Sequence, residues 1–284
     1  QLDFFPLHCF FKHSNFLSRV YIISLTPIIL ALINGLLYFL RCFHLLNYSL
    51  MPHVWLDPIT KNKTILSLFA SQHAYFALVL SYLVLPVVSM VQFSALECVS
   101  LIKGSSYLRA DTSVDCNAKK YQTFVILDAC LILAYQSVPL IWFILLYRAR
   151  EKLNPQFYNE KQSKNIKAIL NRRQESIAVG FRDRDHDSSI RHLAFLWNEY
   201  RPSRWYYEVF EMYRRTLFIA VLPLVGSSSE LRAIVGCLIS IIMISIVREA
   251  SPFIKPSTNL LLVVAQFQIL LTFYAAVLIS SNAL

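Results

Sequence analysis

Long apolar runs alternate with short polar connections along this chain. Six runs approach the length of about 20 mostly apolar residues that a helix needs to cross the hydrocarbon core of a bilayer. These runs are residues 19–43, 66–95, 122–147, 207–225, 231–247 and 258–281, of which the fifth is the shortest. The pattern predicts an all-α integral membrane protein with about six transmembrane helices.

The bulk composition supports this class. Hydrophobic residues make up 56% of the 284 residues and charged residues 15%, which is more apolar and less charged than a soluble domain of this size. The chain begins at Gln1, and its first residues do not form a signal peptide. We therefore expect it to be part of a longer protein.

Basic residues are concentrated in the middle of the chain. Of the 27 Lys and Arg residues, 15 lie between Arg148 and Arg215. Basic flanks of membrane helices favour the cytoplasmic side, so we assign this basic segment to the inner side. The loops 96–121 and 226–230 are then outside, together with both ends of the chain, and the connections 44–65 and 248–257 are inside.

The same pattern divides the chain into a first membrane half (1–147), a basic inner segment (148–206) and a second membrane half (207–284). Two glycosylation sequons, at Asn47 and Asn62, oppose this topology because both fall in a connection assigned to the inner side. A glycan on Asn62 would reverse the orientation.

The inner segment contains a stretch, 157–179, whose apolar residues are spaced for one helix face. This stretch is predicted to lie along the inner leaflet and bind anionic lipid headgroups, and a solvated basic helix fits the pattern equally well. The basic residues concerned are Lys161, Lys164, Lys167, Arg172 and Arg173.

No motif for a metal, a cofactor or a catalytic centre is found in the sequence. Residues 182–187 resemble the opening of a calcium-binding loop, but Ser188 stands at the glycine position and Ala194 at the position of the bidentate glutamate. We interpret these residues as a linker, and we expect neither an enzyme nor a cofactor. The net charge of +10 does not follow an aromatic-lined groove, so nucleic acid is not an expected partner.

Cys98 and Cys116 flank the outer loop 96–121. In an oxidising compartment they could close the loop as a disulfide, which for a loop of this length stabilises a fold by about 3 kcal/mol. Metal binding is the alternative, but it is less favoured because no second Cys or His pair lies nearby.

Three polar residues lie at membrane depth. Asp128 is surrounded by apolar neighbours in the third run, and Gln266 and Gln268 lie in the last run. An intramembrane carboxylate costs at least about 2.5 kcal/mol and usually faces a partner or a water-filled cavity. Asp128 is therefore either an ion or proton site or, as we favour, a protonated or hydrogen-bonded group that joins two helices. The two glutamines are expected to bond to neighbouring helices, with lining of a polar path as the alternative.

The fourth run begins with a cluster of charges, namely Glu208, Glu211, Arg214 and Arg215. Glu211 precedes the two arginines by three and four residues, so these side chains can pair on one helix surface. The cluster either anchors the start of a helix or acts as a lever before the pore helices of a channel. Arginines do not recur at every third position, so the run is not a voltage sensor.

Several motifs together resemble one known type of membrane module. The longest is Leu-Trp-Asn-Glu-Tyr-Arg-Pro-Ser-Arg-Trp-Tyr-Tyr-Glu at 196–208, and only the combination of the motifs is specific. The others lie at 82–89, 97–98, 106–111, 114–116, 145–150, 209–211, 214–215 and 264–268. In combination they are similar to the C-terminal multi-pass module of large surface proteins of algae and other protists, which is described as TRP-like. The resemblance covers roughly residues 80–281, and the sequence departs from it at 135–139.

This resemblance implies a cation channel or a channel-like subunit in a plasma or ciliary membrane, as a homo-oligomer or as part of a larger complex. The connection 248–257 argues against a familiar pore, because it is too short for a pore helix and a selectivity filter. The alternative function is a non-conducting membrane anchor or accessory subunit of a larger complex.

Overall fold

The computed structural model of this chain is built mainly from long helices. It describes residues 16–49, 58–102, 105–154, 184, 190–226 and 228–281. Five helices are long and apolar enough to cross a membrane, with spans at Phe16–His44, Phe69–Ser94, Lys119–Arg148, Ser229–Ala250 and Pro256–Ser280. The prediction of an all-α, multi-pass membrane protein is confirmed.

The first membrane half contains three long helices: α1 (Phe16–Ser49), α2 (Pro58–Ser94) and α3 (Lys119–Arg148), followed by the short helix α4 (Arg150–Leu153). Both α1 and α2 extend into the connection that we expected at 44–65. Asn47 and Asn62 therefore lie within helices.

The second half begins with short turns. A 3₁₀ turn (Arg191–Leu193), the helix α5 (Ala194–Trp197) and a second 3₁₀ turn (Pro202–Arg204) lead into α6 (Tyr207–Thr216). Two long helices follow, α7 (Ser229–Ala250) and α8 (Pro256–Ser280). The basic residues predicted to contact lipid, Lys161, Lys164, Lys167, Arg172 and Arg173, lie outside the described residues.

The fourth apolar run is not a uniform helix. After α6 the backbone continues as a π-helix (Leu217–Val221) and then as a 3₁₀ turn (Leu222–Leu224). Pro223 lies in this last turn, where its missing N–H and fixed φ disfavour regular α-helix. We call the whole stretch 207–224 the fourth segment. Because it is not a long regular helix, the expected count of six transmembrane helices is not confirmed.

A β-hairpin closes one end of the bundle. Its strands β1 (Cys98–Ile102) and β2 (Ser105–Leu108) pair antiparallel, and Cys98 and Cys116 form a disulfide. The predicted pairing of these cysteines is therefore supported. The apolar pattern did not indicate these strands, because they are too short to produce a clear alternation.

At the hairpin end, the loop between α2 and α3 meets the turn before α7. Glu97 accepts a hydrogen bond from Arg232 at 2.5 Å, and Arg232 also donates to the carbonyl of Pro223 at 3.0 Å. The two connections that we assigned to the outer side therefore lie at the same end of the bundle.

The opposite end joins the inner segment to the turn between α7 and α8. The Arg201 amide donates to Pro252 O at 2.9 Å, and the Ile254 amide donates to Glu199 O at 3.1 Å. Arg204 Nε donates to Ala250 O at 3.2 Å. The fourth segment starts beside these contacts and ends at Pro223 beside Arg232, so its two ends lie at opposite ends of the bundle.

The buried core has two parts. Near the hairpin, a smaller cluster is formed by Leu17, Val20, Ala95, Leu108, Tyr121 and Phe124. Towards the other end, a larger cluster includes Trp142, Leu146, Leu196, Trp197 and Met212. Most of the remaining apolar side chains of the long helices are exposed to the surroundings, which is the pattern expected for surfaces that contact lipid or other subunits.

Small residues bring α7 and α8 together. Ala233, Gly236 and Ser240 are buried on one face of α7. A Cβ atom added at Gly236 would lie 2.5 Å from Cδ1 of Phe273 on α8. Gly236 is therefore needed for this close approach, as small residues are at many membrane helix contacts.

Candidate functional site: a charged network in the fourth segment

The four charged residues predicted as a cluster lie on α6, largely inside the protein. Glu208, Glu211 and Arg214 are between 5% and 8% exposed. The side chain of Arg215 is more open, at 37%. Two carboxylates and two guanidinium groups carry no net charge together, which limits the cost of burying them.

Glu211 is the centre of this charged network. Arg214 binds its two carboxylate oxygens through Nη2 at 2.5 Å and Nε at 2.8 Å. Arg215 Nε donates to the same carboxylate at 3.0 Å. The spacing of three and four residues thus gives the contacts that helix geometry allows, and the bidentate geometry is the strong form of this ion pair.

Both arginines also contact other helices. Arg214 Nη1 donates to Gln266 Oε1 on α8 at 2.7 Å, and Arg215 Nη1 donates to the Tyr82 hydroxyl on α2 at 2.8 Å. The charged network therefore connects three helices, and Gln266, at 1% exposed, is the most deeply buried residue of α8.

Glu208 is bound separately, towards the inner segment. The Tyr200 hydroxyl donates to Glu208 Oε2 at 2.6 Å, while Oε1 has no partner among the described residues. Burial raises the pKa of Tyr200 and the neighbouring carboxylate raises it further, so this hydroxyl remains a donor over the ordinary pH range. Tyr200 also contacts Phe253, with ring centroids 5.0 Å apart.

Arg184 extends this contact into the inner segment. Its side chain is buried, donates to Tyr200 O at 2.9 Å, and lies over the ring of Trp197 at 4.6 Å from the centroid. Tyr200 therefore lies between a cation of the inner segment and a carboxylate of α6. Tyr200 and Tyr82 lie in sequence motifs at 196–208 and 82–89, but their contacts with the charged residues of α6 were not predicted, because each requires the packing of separate parts of the chain.

The three polar residues predicted at membrane depth have different surroundings. Gln266 bonds to Arg214. Gln268, two residues further on, is exposed on the opposite side of α8, and its side chain has no partner among the described residues. Asp128 is fully buried on α3, away from the charged network, and neither of its carboxyl oxygens is hydrogen-bonded to a described residue.

No group of three or more His, Cys, Asp or Glu side chains that could hold a metal ion is found within the described ranges.

A cavity of about 480 Å³ lies at the hairpin end, between β2 and the start of α7, with Arg109, Thr112, Ser228 and Arg232 among its lining residues. Arg109 and Arg232 both pair with Glu97, so this carboxylate offsets part of the positive charge of the cavity.

Comparison of the chain with family models, with curated proteins and with solved structures found no match.

Proposed function

We propose that this chain is the membrane module of a channel-like subunit, in which the charged network couples the inner segment to the last helix. The observation that carries the proposal is the hydrogen bond from Arg214, paired with Glu211, to Gln266 on α8. Through it the start of the fourth segment and α8 move together.

The coupling begins in the inner segment. Arg184 and Tyr200 bind each other, and Tyr200 binds Glu208 one turn before Glu211. A displacement of the inner segment therefore acts on α6 directly. Buried charges are costly unless paired, so α6 would change position in steps that keep its ion pairs, rather than continuously.

The backbone after the charged network suits such a movement. The π-helix Leu217–Val221 follows within two residues of Arg215, and π turns are frequent at functional sites of helices. Irregular backbone at membrane depth is tolerated where it is buried in protein or lines a cavity. We propose that the fourth segment also crosses the membrane, in addition to the five long helices, since its two ends lie at opposite ends of the bundle.

One exposed face of α8 has a composition that favours contact with further copies of this chain. Its residues lie three and four positions apart, as on one helix face, and the middle ones are small or polar: Leu261, Ala265, Gln268, Thr272, Ala275 and Ile279. The neighbouring exposed face is large and apolar, with Leu260, Val264, Phe267, Leu271 and Tyr274. We call these the polar face and the apolar face of α8.

We assign the polar face to contact with further copies of this chain and the apolar face to lipid. A glutamine amide is both donor and acceptor, so Gln268 can pair with Gln268 of another copy. In a ring of copies the same residues would border a central path. The resemblance to TRP-like modules supports this function.

The test is conductance of the purified full chain in planar bilayers, after its copies have been counted. We expect an oligomer with currents, and Gln266→Leu should alter the open probability because it removes the contact between α8 and Arg214. Phe267→Leu, on the apolar face of α8, is the matched control and should leave the currents unchanged. An assembled oligomer that carries no current would contradict the proposal.

The second candidate is a non-conducting anchor or accessory subunit. It is favoured by the connection between α7 and α8, which contains only the five residues 251–255 and has no room for a pore helix. Isolation of the native complex distinguishes the two. A single copy held against different proteins, with currents absent, would support the anchor.

A further inference from the structure

Asp128 is a fully buried carboxyl whose oxygens make no hydrogen bond to a described residue. It lies on α3 with Tyr121 and Tyr135, at intervals of seven residues, and all three side chains are buried on one face. Asp128 itself is 0% exposed, and both carboxyl oxygens lack a hydrogen-bond partner among the described residues. The sequence left two interpretations of Asp128, an ion or proton site and a protonated or hydrogen-bonded group that joins two helices, and the structure shows no hydrogen bond from this carboxyl to a described residue.

No Lys, Arg or His side chain of the described residues pairs with the Asp128 carboxyl. The titratable groups within electrostatic range are Tyr21 on α1 and Tyr121 on α3 itself. On α2, Ser89 and Gln92 are fully buried polar residues, and neither titrates. Arg19 lies on α1 near the hairpin, where its charge acts on Asp111.

An ionised and unpaired carboxylate at membrane depth costs several kcal/mol. In the closed surroundings seen here, the carboxyl of Asp128 is therefore neutral and carries a proton. Because it makes no hydrogen bond to a described residue, it contributes little to holding the described helices together, and a buried polar group without such a partner calls for a functional explanation.

The bundle around Asp128 is asymmetric. On the hairpin side of Asp128, one turn earlier on α3, Phe124 packs in the apolar cluster that also contains Leu17 and Leu108. The Tyr121 hydroxyl on this side is bound to Ala95 O at 3.0 Å. Among the described residues, the buried side chains on the hairpin side of Asp128 are therefore mainly apolar or aromatic.

On the other side, buried polar groups follow one another towards the charged network. The Tyr135 hydroxyl donates to Ser24 O at 2.5 Å, and Gln92 Nε2 donates to Ser24 Oγ at 3.2 Å. Gln92 Oε1 is a further buried acceptor without a partner among the described residues.

A second pair of hydrogen bonds begins at Gln136, the next residue of α3. Gln136 Nε2 donates to Ser89 Oγ at 2.8 Å, and the Tyr213 hydroxyl donates to Gln136 O at 2.8 Å. Tyr213 immediately precedes Arg214 of the charged network. These six residues, Ser24, Ser89, Gln92, Tyr135, Gln136 and Tyr213, form what we call the polar line.

We propose that Asp128 is a reversible proton-binding site of the bundle, reached from the inner end along the polar line. Protonation converts the carboxylate and one proton from the inner aqueous phase into the neutral acid, which the closed bundle accommodates. Loss of the proton creates a charge that the closed bundle cannot pair, so ionised Asp128 favours an arrangement in which water enters the polar line. This inference does not depend on conduction of ions by the chain.

The first experiment is infrared difference spectroscopy of the full chain in lipid, between acid and alkaline solution. We expect a carbonyl band of a protonated carboxylic acid that disappears as the pH rises and is absent in Asp128→Asn, which keeps the size of the side chain. Glu230→Gln, at an exposed carboxyl at the start of α7 and outside the charged network, is the control and should retain the band. If no such band is present in the unmodified chain, or if the band survives in Asp128→Asn, the proposal is wrong.

The second experiment tests the side of access. A carbodiimide that partitions into the membrane modifies protonated buried carboxyl groups, and the extent of modification at Asp128 can be read by peptide mapping. In oriented vesicles with a pH difference of about two units, modification should follow the pH at the inner end, falling about tenfold for each unit above the pKa. Dependence on the pH at the hairpin end would overturn the assigned route.

Discussion

Arg214 and Gln266 lie 52 residues apart in the chain, yet the guanidinium Nη1 donates to the amide oxygen across 2.7 Å. The same guanidinium holds Glu211 through two further hydrogen bonds. One side chain thus joins an ion pair within α6 to the only side chain that α8 buries almost completely. The position of the last helix relative to the fourth segment depends on this contact.

Removal of the Arg214 charge should destabilise the fold strongly. Arg214→Met leaves Gln266 Oε1 without its donor and breaks a buried ion pair, for which the cost is about 3–5 kcal/mol. Arg215→Met should cost less, because the Arg215 side chain is 37% exposed and exposed ion pairs contribute about 0–1 kcal/mol. Thermal unfolding of both variants in detergent provides the comparison.

A double-mutant cycle isolates the contact between the helices. Arg214→Met and Gln266→Leu should show a coupling free energy of about 0.5–3 kcal/mol, because each substitution removes a partner of the other. Gln268→Leu, combined with Arg214→Met, is the control and should be additive. Additivity of the first pair would show that the hydrogen bond contributes nothing.

The disulfide should stabilise the hairpin end. Replacement of Cys98 and Cys116 by serine is expected to lower the free energy of unfolding by about 3 kcal/mol. Cys130→Ser removes a free and exposed cysteine and should have little effect. Alkylation before and after reduction identifies the bonded pair, and alkylation of Cys98 in the unreduced protein would contradict the assignment.

Gly236 and Gly35 should respond in opposite ways to alanine. A Cβ atom at Gly236 meets the ring of Phe273, whereas a Cβ atom at Gly35 meets nothing within 4 Å. Gly236→Ala should therefore destabilise the α7–α8 contact by about 1–3 kcal/mol. Gly35→Ala should be neutral or stabilising by up to about 1 kcal/mol, which thermal unfolding of the two variants can show.

Asp111 should make the hairpin end sensitive to acid. The hydrogen bond from the Ser113 hydroxyl is the main reason that the pKa of Asp111 is lowered, with backbone hydrogen bonds from Ser113 and Phe16 and the charge of Arg19 acting in the same direction. A lowered pKa contributes stability above the pKa of the unfolded chain, about 3.9, and this stability is lost as the pH falls through the lower value of the folded protein.

The measurement is the melting temperature of the unmodified chain and of Asp111→Asn as a function of pH. The variant should melt lower at neutral pH, and the difference should shrink in acid below about pH 3.9. Ser113→Ala, which removes the hydroxyl donor at 2.7 Å, should reproduce part of the effect. A difference that is constant over this pH range would exclude ionised Asp111 as its origin.

Cross-linking tests the two exposed faces of α8. In a chain whose free cysteines have been replaced, Gln268→Cys on the polar face should form disulfide-linked dimers in membranes. Leu271 is 58% exposed but lies on the apolar face. The variant Leu271→Cys should therefore remain monomeric. Equal cross-linking at both positions would indicate random collision instead of a defined interface.

Part of the candidate site could be predicted from local spacing. Glu211, Arg214 and Arg215 are close in the sequence, so helix periodicity alone predicts that they pair. The partners Gln266 and Tyr82 could not be assigned, because they belong to other helices and the sequence does not state which helix faces which. The π-helix Leu217–Val221 could not be predicted for a similar reason. An apolar run indicates that a segment is buried or in lipid, but it does not show where the packing around the segment produces a π turn.

The class of the protein, an all-α multi-pass membrane protein, and the pairing of Cys98 with Cys116 could be predicted from the amino-acid sequence alone. Both follow from run length and loop spacing, which are local properties and do not depend on how the helices pack. The packing of the helices was needed to show that Arg214 reaches Gln266, that Gln268 faces outwards, and that Asp128 is buried without a hydrogen bond to a described residue. Each of these depends on the rotation of one helix against another, which is set by side-chain packing between residues far apart in the chain.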